Sequence, residues 1–81
     1  MARMKMNAIG RWEIYGGMDR LQKVELNSGD VVHVEVEGID ELQPTRIEFV
    51  HTGKGGGCYA SVDDYPLWDG MRAEIDTNAR R

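Results

Sequence analysis

Two stretches of alternating apolar and polar residues constrain this chain more than anything else in it. Across residues 31–37, Val32, Val34 and Val36 fall on one side, and His33, Glu35 and Glu37 on the other. After a short loop, residues 44–49 repeat the pattern, with Ile47 and Phe49 opposite in facing to Arg46 and Glu48. A period of two sends successive side chains to opposite faces. Each stretch therefore reads as a strand with one face on a core and the other in water. The preceding Asn27-Ser28-Gly29-Asp30 run is turn chemistry.

The remaining pattern is also β-rich. Trp12 and Ile14 face inward on a strand over residues 11–15, closed by a Gly16-Gly17 turn. Residues 21–26 form a second strand with Val24 and Leu26 inward. Residues 39–43 read as a polar loop or one helical turn, and Pro44 suits a strand start, where its missing N–H costs nothing. A fourth strand covers residues 45–52, and the glycine-rich run 53–57 is a flexible connection. A fifth strand covers 58–62, and a last short one places Met71, Ala73 and Ile75 inward. Apolar residues recur nowhere at helical spacing. The expected architecture is a single all-β domain: an SH3-like barrel of five to six short antiparallel strands, ordered over about residues 8–76, with loose termini.

At 81 residues the chain sits near the size at which a hydrophobic core suffices without metal or disulfide. A deep catalytic cleft is hard to house in so small a core, whereas binding across a face, an edge or a loop is easy. The single cysteine, Cys58, excludes an internal disulfide and points to the cytoplasm. No apolar run reaches membrane-spanning length, and the first residues do not read as a signal peptide. The net charge of −4 conceals an uneven distribution. Arg3, Lys5, Arg80 and Arg81 lie at the termini, leaving six basic against fourteen acidic residues for the body. Such a surface repels a phosphate backbone, which disfavours direct nucleic-acid binding.

The residues also carry a resemblance. Leu26-x-Ser28-Gly29-Asp30, the alternating strand 31–37, Pro44-Thr45-Arg46-Ile47-Glu48, Gly57-Cys58-Tyr59 and Leu67-x-x-Gly70-Met71-x-Ala73 resemble a family of small uncharacterised domains. Its members occur on conjugative elements and phages of Gram-positive bacteria. The pattern spans roughly residues 11 to 75, and Thr45-Arg46-Ile47-Glu48 is its most distinctive part. The resemblance implies a mobile-element accessory protein and supplies no catalytic residues.

Enzyme motifs are missing. His33, His51 and Cys58 have no paired ligand spacing for zinc, so no metal or other cofactor is expected. Lys54 precedes the glycines of residues 53–57 instead of following them as in a phosphate-binding loop, and a strand follows where a helix would be needed. Ser61, His51 and Asp63 supply the letters of a triad without its geometry. No catalytic residue is assigned, and the chain is read as a non-enzyme.

Two groups of residues carry functional interest. One is the carboxylate set Glu35, Glu37, Asp40, Glu41 and Glu48, which would form either a solubilising face paired by Arg46 and Arg72 or a ligand for a basic groove. The other places Tyr59, Tyr65 and Trp68 beside Asp63, Asp64 and Asp69, as interface anchors or as core, with Trp68 expected to be buried. The expected function is non-catalytic binding to a protein with a basic surface. One concrete form is an anti-CRISPR-like inhibitor of a host defence nuclease that occupies its nucleic-acid path. The alternatives are an accessory or regulatory domain in plasmid transfer or phage replication, and weak nucleic-acid binding through the barrel and its basic tails. A monomer and a two-fold homodimer both fit.

Overall fold

The computed structural model describes residues 2–16 and 23–76. Seven strands run in chain order: β1 (Arg3–Met6), β2 (Trp12–Tyr15), β3 (Lys23–Glu25), β4 (Val31–Val36), β5 (Ile39–Gly53), β6 (Gly56–Ser61) and β7 (Ala73–Ile75). They form two antiparallel sheets, one ordered β1-β2-β3 and the other β6-β5-β4-β7. No helix occurs among the described residues. The turn at Gly17, the first residues of the expected 21–26 strand and the tail over 77–81 lie outside them.

The alternating stretches behave as their period requires. Val32 and Val34 are fully buried, Val36 half-buried, and Ile47 fully buried. Val32 stands opposite Thr45 on β5 and Ile75 on β7, so the three strands present one continuous inner face. Trp12, Ile14 and Leu26 pack onto it from the first sheet, and Met71 and Ala73 complete it.

Four expectations about the elements are corrected. The segment carrying Arg3 and Lys5 is not a loose end. It is strand β1, with Met4 fully buried and Ala2 nearly so. Residues 39–43 are not a loop or helical turn; they are the start of β5, a strand of 15 residues. Pro44 lies inside that strand. Arg46 O accepts from Val62 N on the β6 side, so the Pro44 nitrogen, two residues back, faces the same side. β6 has ended by then, so no ladder bond is lost. The glycine run is no slack connection either. Gly53 pairs with Gly56 around a two-residue turn in which Lys54 (φ 52°) and Gly55 (φ 77°) are both left-handed. That matches the twist a tight hairpin needs.

The described strands do not close into a barrel. The two sheets meet through β1, where Met4 N donates to Met71 O (2.9 Å), Gly70 N to Met4 O (2.7 Å) and Ala73 N to Ala2 O (3.1 Å). On the far side, among the described residues, one side-chain hydrogen bond spans the gap, Trp12 Nε1 donating to Tyr59 O at 3.0 Å. Beyond the core, the β5–β6 hairpin projects as an arm. There Phe49, expected to face inward, does so but is 39% exposed and lies outside the buried core cluster. Its ring lies over Gly57 and meets Tyr59 and His51 edge-on at 5.1 and 5.0 Å.

Candidate functional site

The structure divides the expected acidic face in two. Glu35 and Glu48 are internally engaged. Glu35 Oε1 accepts from the main-chain N–H of Arg72 at 3.0 Å and lies 3.7 Å from its Nε, which buckles β4 to the strip leading into β7. Glu48 pairs with Arg46 at 2.7 Å along the same strand, so Arg46 does not make the expected cross-strand pair. Asp63 is engaged as well. Its Oδ2 accepts from Thr45 Oγ1 (2.7 Å), and its own N–H donates to Ser61 Oγ (3.2 Å). With the Thr45–Ser61 contact of 2.6 Å this makes a closed polar knot in which Thr45 and Ser61 are buried and Asp63 is exposed.

Glu37, Asp40 and Glu41 are different. All three are exposed at the β4–β5 hairpin end, where Val36 pairs with Ile39 around Glu37 and Gly38. Gly38 takes φ 84°, a conformation that costs a glycine nothing. Among the described residues no hydrogen bond or ion pair holds any of these carboxylates, nor that of Asp64. Like charges gathered without partners repel one another, a cost that a cationic partner would remove.

Beside this hairpin lies Trp68. It was expected to be buried, yet it is 40% exposed. The core is already filled by methionine, leucine and valine side chains, and the turn over residues 68–71 holds the indole outside them. Trp68 N donates to the sulfur of the buried Met71 (3.2 Å), and Met71 N to Trp68 O (3.3 Å). The next residues are tied to β1: Met6 N donates to Asp69 Oδ1 at 2.9 Å, and Arg3 to Gly70 O. Val36, Glu37, Pro66 and Trp68 line one shallow groove of about 550 Å³. Ile39, 44% exposed, adds apolar surface to the same hairpin.

Tyr65 and Asp64 stand on the other side of Pro66. They border a second cleft of about 370 Å³ with Met6, Trp12, Tyr59 and Leu67. Asp64 holds a left-handed φ of 61°, and its N–H donates to Ser61 O at 3.1 Å. Tyr65 is half-buried and packs on the core. Tyr59 carries the Arg11 guanidinium over its ring at 5.3 Å.

The letters of other chemistries are not brought together. Ser61 is buried in the polar knot. His51 pairs with Gly57, four residues from Ser61 along β6, so roughly 13 Å of strand separates the two positions. His33 meets Asp76 at 3.0 Å, and Cys58 is exposed on β6 opposite Val50. Among the described residues no three histidine, cysteine or acidic side chains converge to hold a metal ion.

Sequence reasoning named Glu37, Asp40, Glu41 and Trp68 but kept them in separate groups. It missed Val36, Ile39 and Pro66 as neighbours of that surface. The signal for Pro66 was its place two residues before Trp68. No family model, curated protein or solved structure matches the chain.

Proposed function

We propose that this chain is a non-catalytic protein-binding module whose partner presents a basic surface, and that the β4–β5 hairpin end with Trp68 is the contact face. The observation that carries this reading is the separation of the acids. Glu35, Glu48 and Asp63 are used within the domain, while Glu37, Asp40 and Glu41 have no partner among the described residues and share a hairpin end whose Glu37 lines a groove with an exposed tryptophan. Aromatic anchors ringed by charge are the residues that dominate interface energies. Covering the exposed part of an indole contributes about 2 kcal/mol by area, and the carboxylates would steer the encounter and make it salt-sensitive.

The scaffold reads as an SH3-like small barrel left open between β6 and the first sheet. With the mobile-element resemblance, the partner class that fits an acidic face is a host nuclease complex, blocked in its nucleic-acid path. A second reading, an accessory domain in plasmid transfer or phage replication, is favoured by one observation: the cleft of Met6, Trp12 and Tyr65 is lined by none of Glu37, Asp40 and Glu41 and carries Asp64 alone among the unpaired acids.

The test is affinity capture from host lysate with the wild-type chain and an E37K/D40K/E41K variant, at low and high salt. The reading expects captured proteins with basic surfaces that are lost on charge reversal and at high salt. Capture that survives both changes, but fails when Tyr65 or Met6 is truncated, would favour the second reading.

A further inference from the structure

We infer that the groove between the β4–β5 turn and Pro66–Trp68 receives an arginine side chain of the partner, its stem against Val36 and Pro66, its guanidinium stacked on Trp68 and directed to Glu37. This rests on the protein-binding reading and names the chemistry that face selects. The groove, about 550 Å³ and open to solvent, has three apolar walls and one carboxylate. A wholly apolar occupant would cover Glu37 without giving it a partner, which is costly. An acidic occupant is repelled by Glu37, Asp40 and Glu41 together. A cation on an apolar stem satisfies every wall. Between the two basic side chains, arginine supplies the planar, weakly hydrated head that stacks on an indole and forks to a carboxylate, whereas lysine supplies a compact, strongly hydrated point charge.

The residue that carries the indole is tied to the core before binding. Its main chain is bonded at both N and O to Met71, a fully buried residue. Less ordering is then left for the partner to impose.

The two tryptophans make the experiment self-controlled. The indole N–H of Trp12 is bonded to Tyr59 O, and Trp12 is buried, while Trp68 is exposed. Isotope-labelled full chain is titrated, up to roughly 50 mM where a single stacked ion pair becomes visible, with acetyl-Gly-Arg-Gly-amide. The lysine peptide and the citrulline peptide, a neutral isostere of arginine, are run in parallel. A saturable shift of the Trp68 indole resonance is expected, with the Trp12 resonance unmoved, and affinity falling in the order arginine, lysine, citrulline. Glu37→Gln, on an exposed turn, should leave the spectrum of the fold intact and weaken arginine binding several-fold. No saturable shift, equal affinity for the arginine peptide and either control, or an unchanged affinity in Glu37→Gln overturns the assignment. If the peptide fails while charge reversal still abolishes partner capture, the occupant is wrong and the face stands. If the peptide binds but capture survives reversal, the reading of this hairpin end as the partner's contact face fails on its own.

Discussion

The main-chain N–H of Trp68 donates to the sulfur of Met71 at 3.2 Å, which ties an exposed indole to a side chain at the centre of the core. Met71 O in turn accepts from Met4 N on β1. The candidate binding face is therefore built on the first strand as much as on its own loop. Truncation at the N-terminal end should disturb it before any contact residue is touched.

Met4→Ala follows directly from that connection. Removing most of a fully buried methionine leaves a cavity and costs about 2–5 kcal/mol. A domain this small has roughly 3–5 kcal/mol of net stability to lose. Urea denaturation should show a midpoint near zero denaturant, or a largely unfolded chain. A midpoint within error of wild type would mean that β1 does not belong to the core.

Gly57→Ala tests the projecting arm. A Cβ there would stand 2.4 Å from Phe49 Cζ and 2.8 Å from Val50 O, so both a ring and a backbone must shift. Overpacking of this kind costs about 1–3 kcal/mol. The same change at Gly56, where the nearest atom is Thr52 Oγ1 at 3.1 Å, should cost clearly less. Amide exchange along residues 49–59 would report the difference. Equal effects at the two positions would refute the stacking of Phe49 on Gly57.

The polar knot makes a prediction about non-additivity. Thr45→Val removes the group that bonds both Ser61 Oγ and Asp63 Oδ2, and an unsatisfied buried partner costs about 1–3 kcal/mol. Ser61→Ala in that background should cost less than in the wild type, because the Thr45 hydroxyl is already gone and only the bond from the Asp63 N–H remains to be lost. Additive losses in a double-mutant cycle would show that the hydroxyls act separately.

Much of the fold was legible because burial writes a period into the sequence. Val32 and Val34 alternate with outward His33 and Glu35, and Met71 and Ala73 do the same with Arg72. Strand β1 was hidden because it is short and two of its four residues, Arg3 and Lys5, are charges that read as a tail. The continuity of β5 was hidden because Asp40, Glu41 and Pro44 are poor strand residues, tolerated on a stretch beyond the reach of β6. Phe49 and Trp68 misled for one reason: apolar character predicts burial only where another element arrives to cover it. The site was half legible. Its acids were visible as a cluster, but the internal use of Glu35 and Asp63 depends on Arg72 and Thr45, far away in sequence.

Trp68→Ala separates binding from folding. An indole that is 40% exposed, on a turn held by main-chain bonds, should cost no more than about 1 kcal/mol of stability when truncated. Partner binding should fall by tenfold or more, as for a central aromatic anchor. A large drop in melting temperature with binding intact would place the indole in the fold and not in the interface.

The most direct measurement pairs capture of the partner with thermal unfolding for the E37K/D40K/E41K variant. These carboxylates hold nothing among the described residues, so the melting temperature should stay at or above that of the wild type while capture is lost. Undiminished capture of the same proteins by a folded variant would contradict the account.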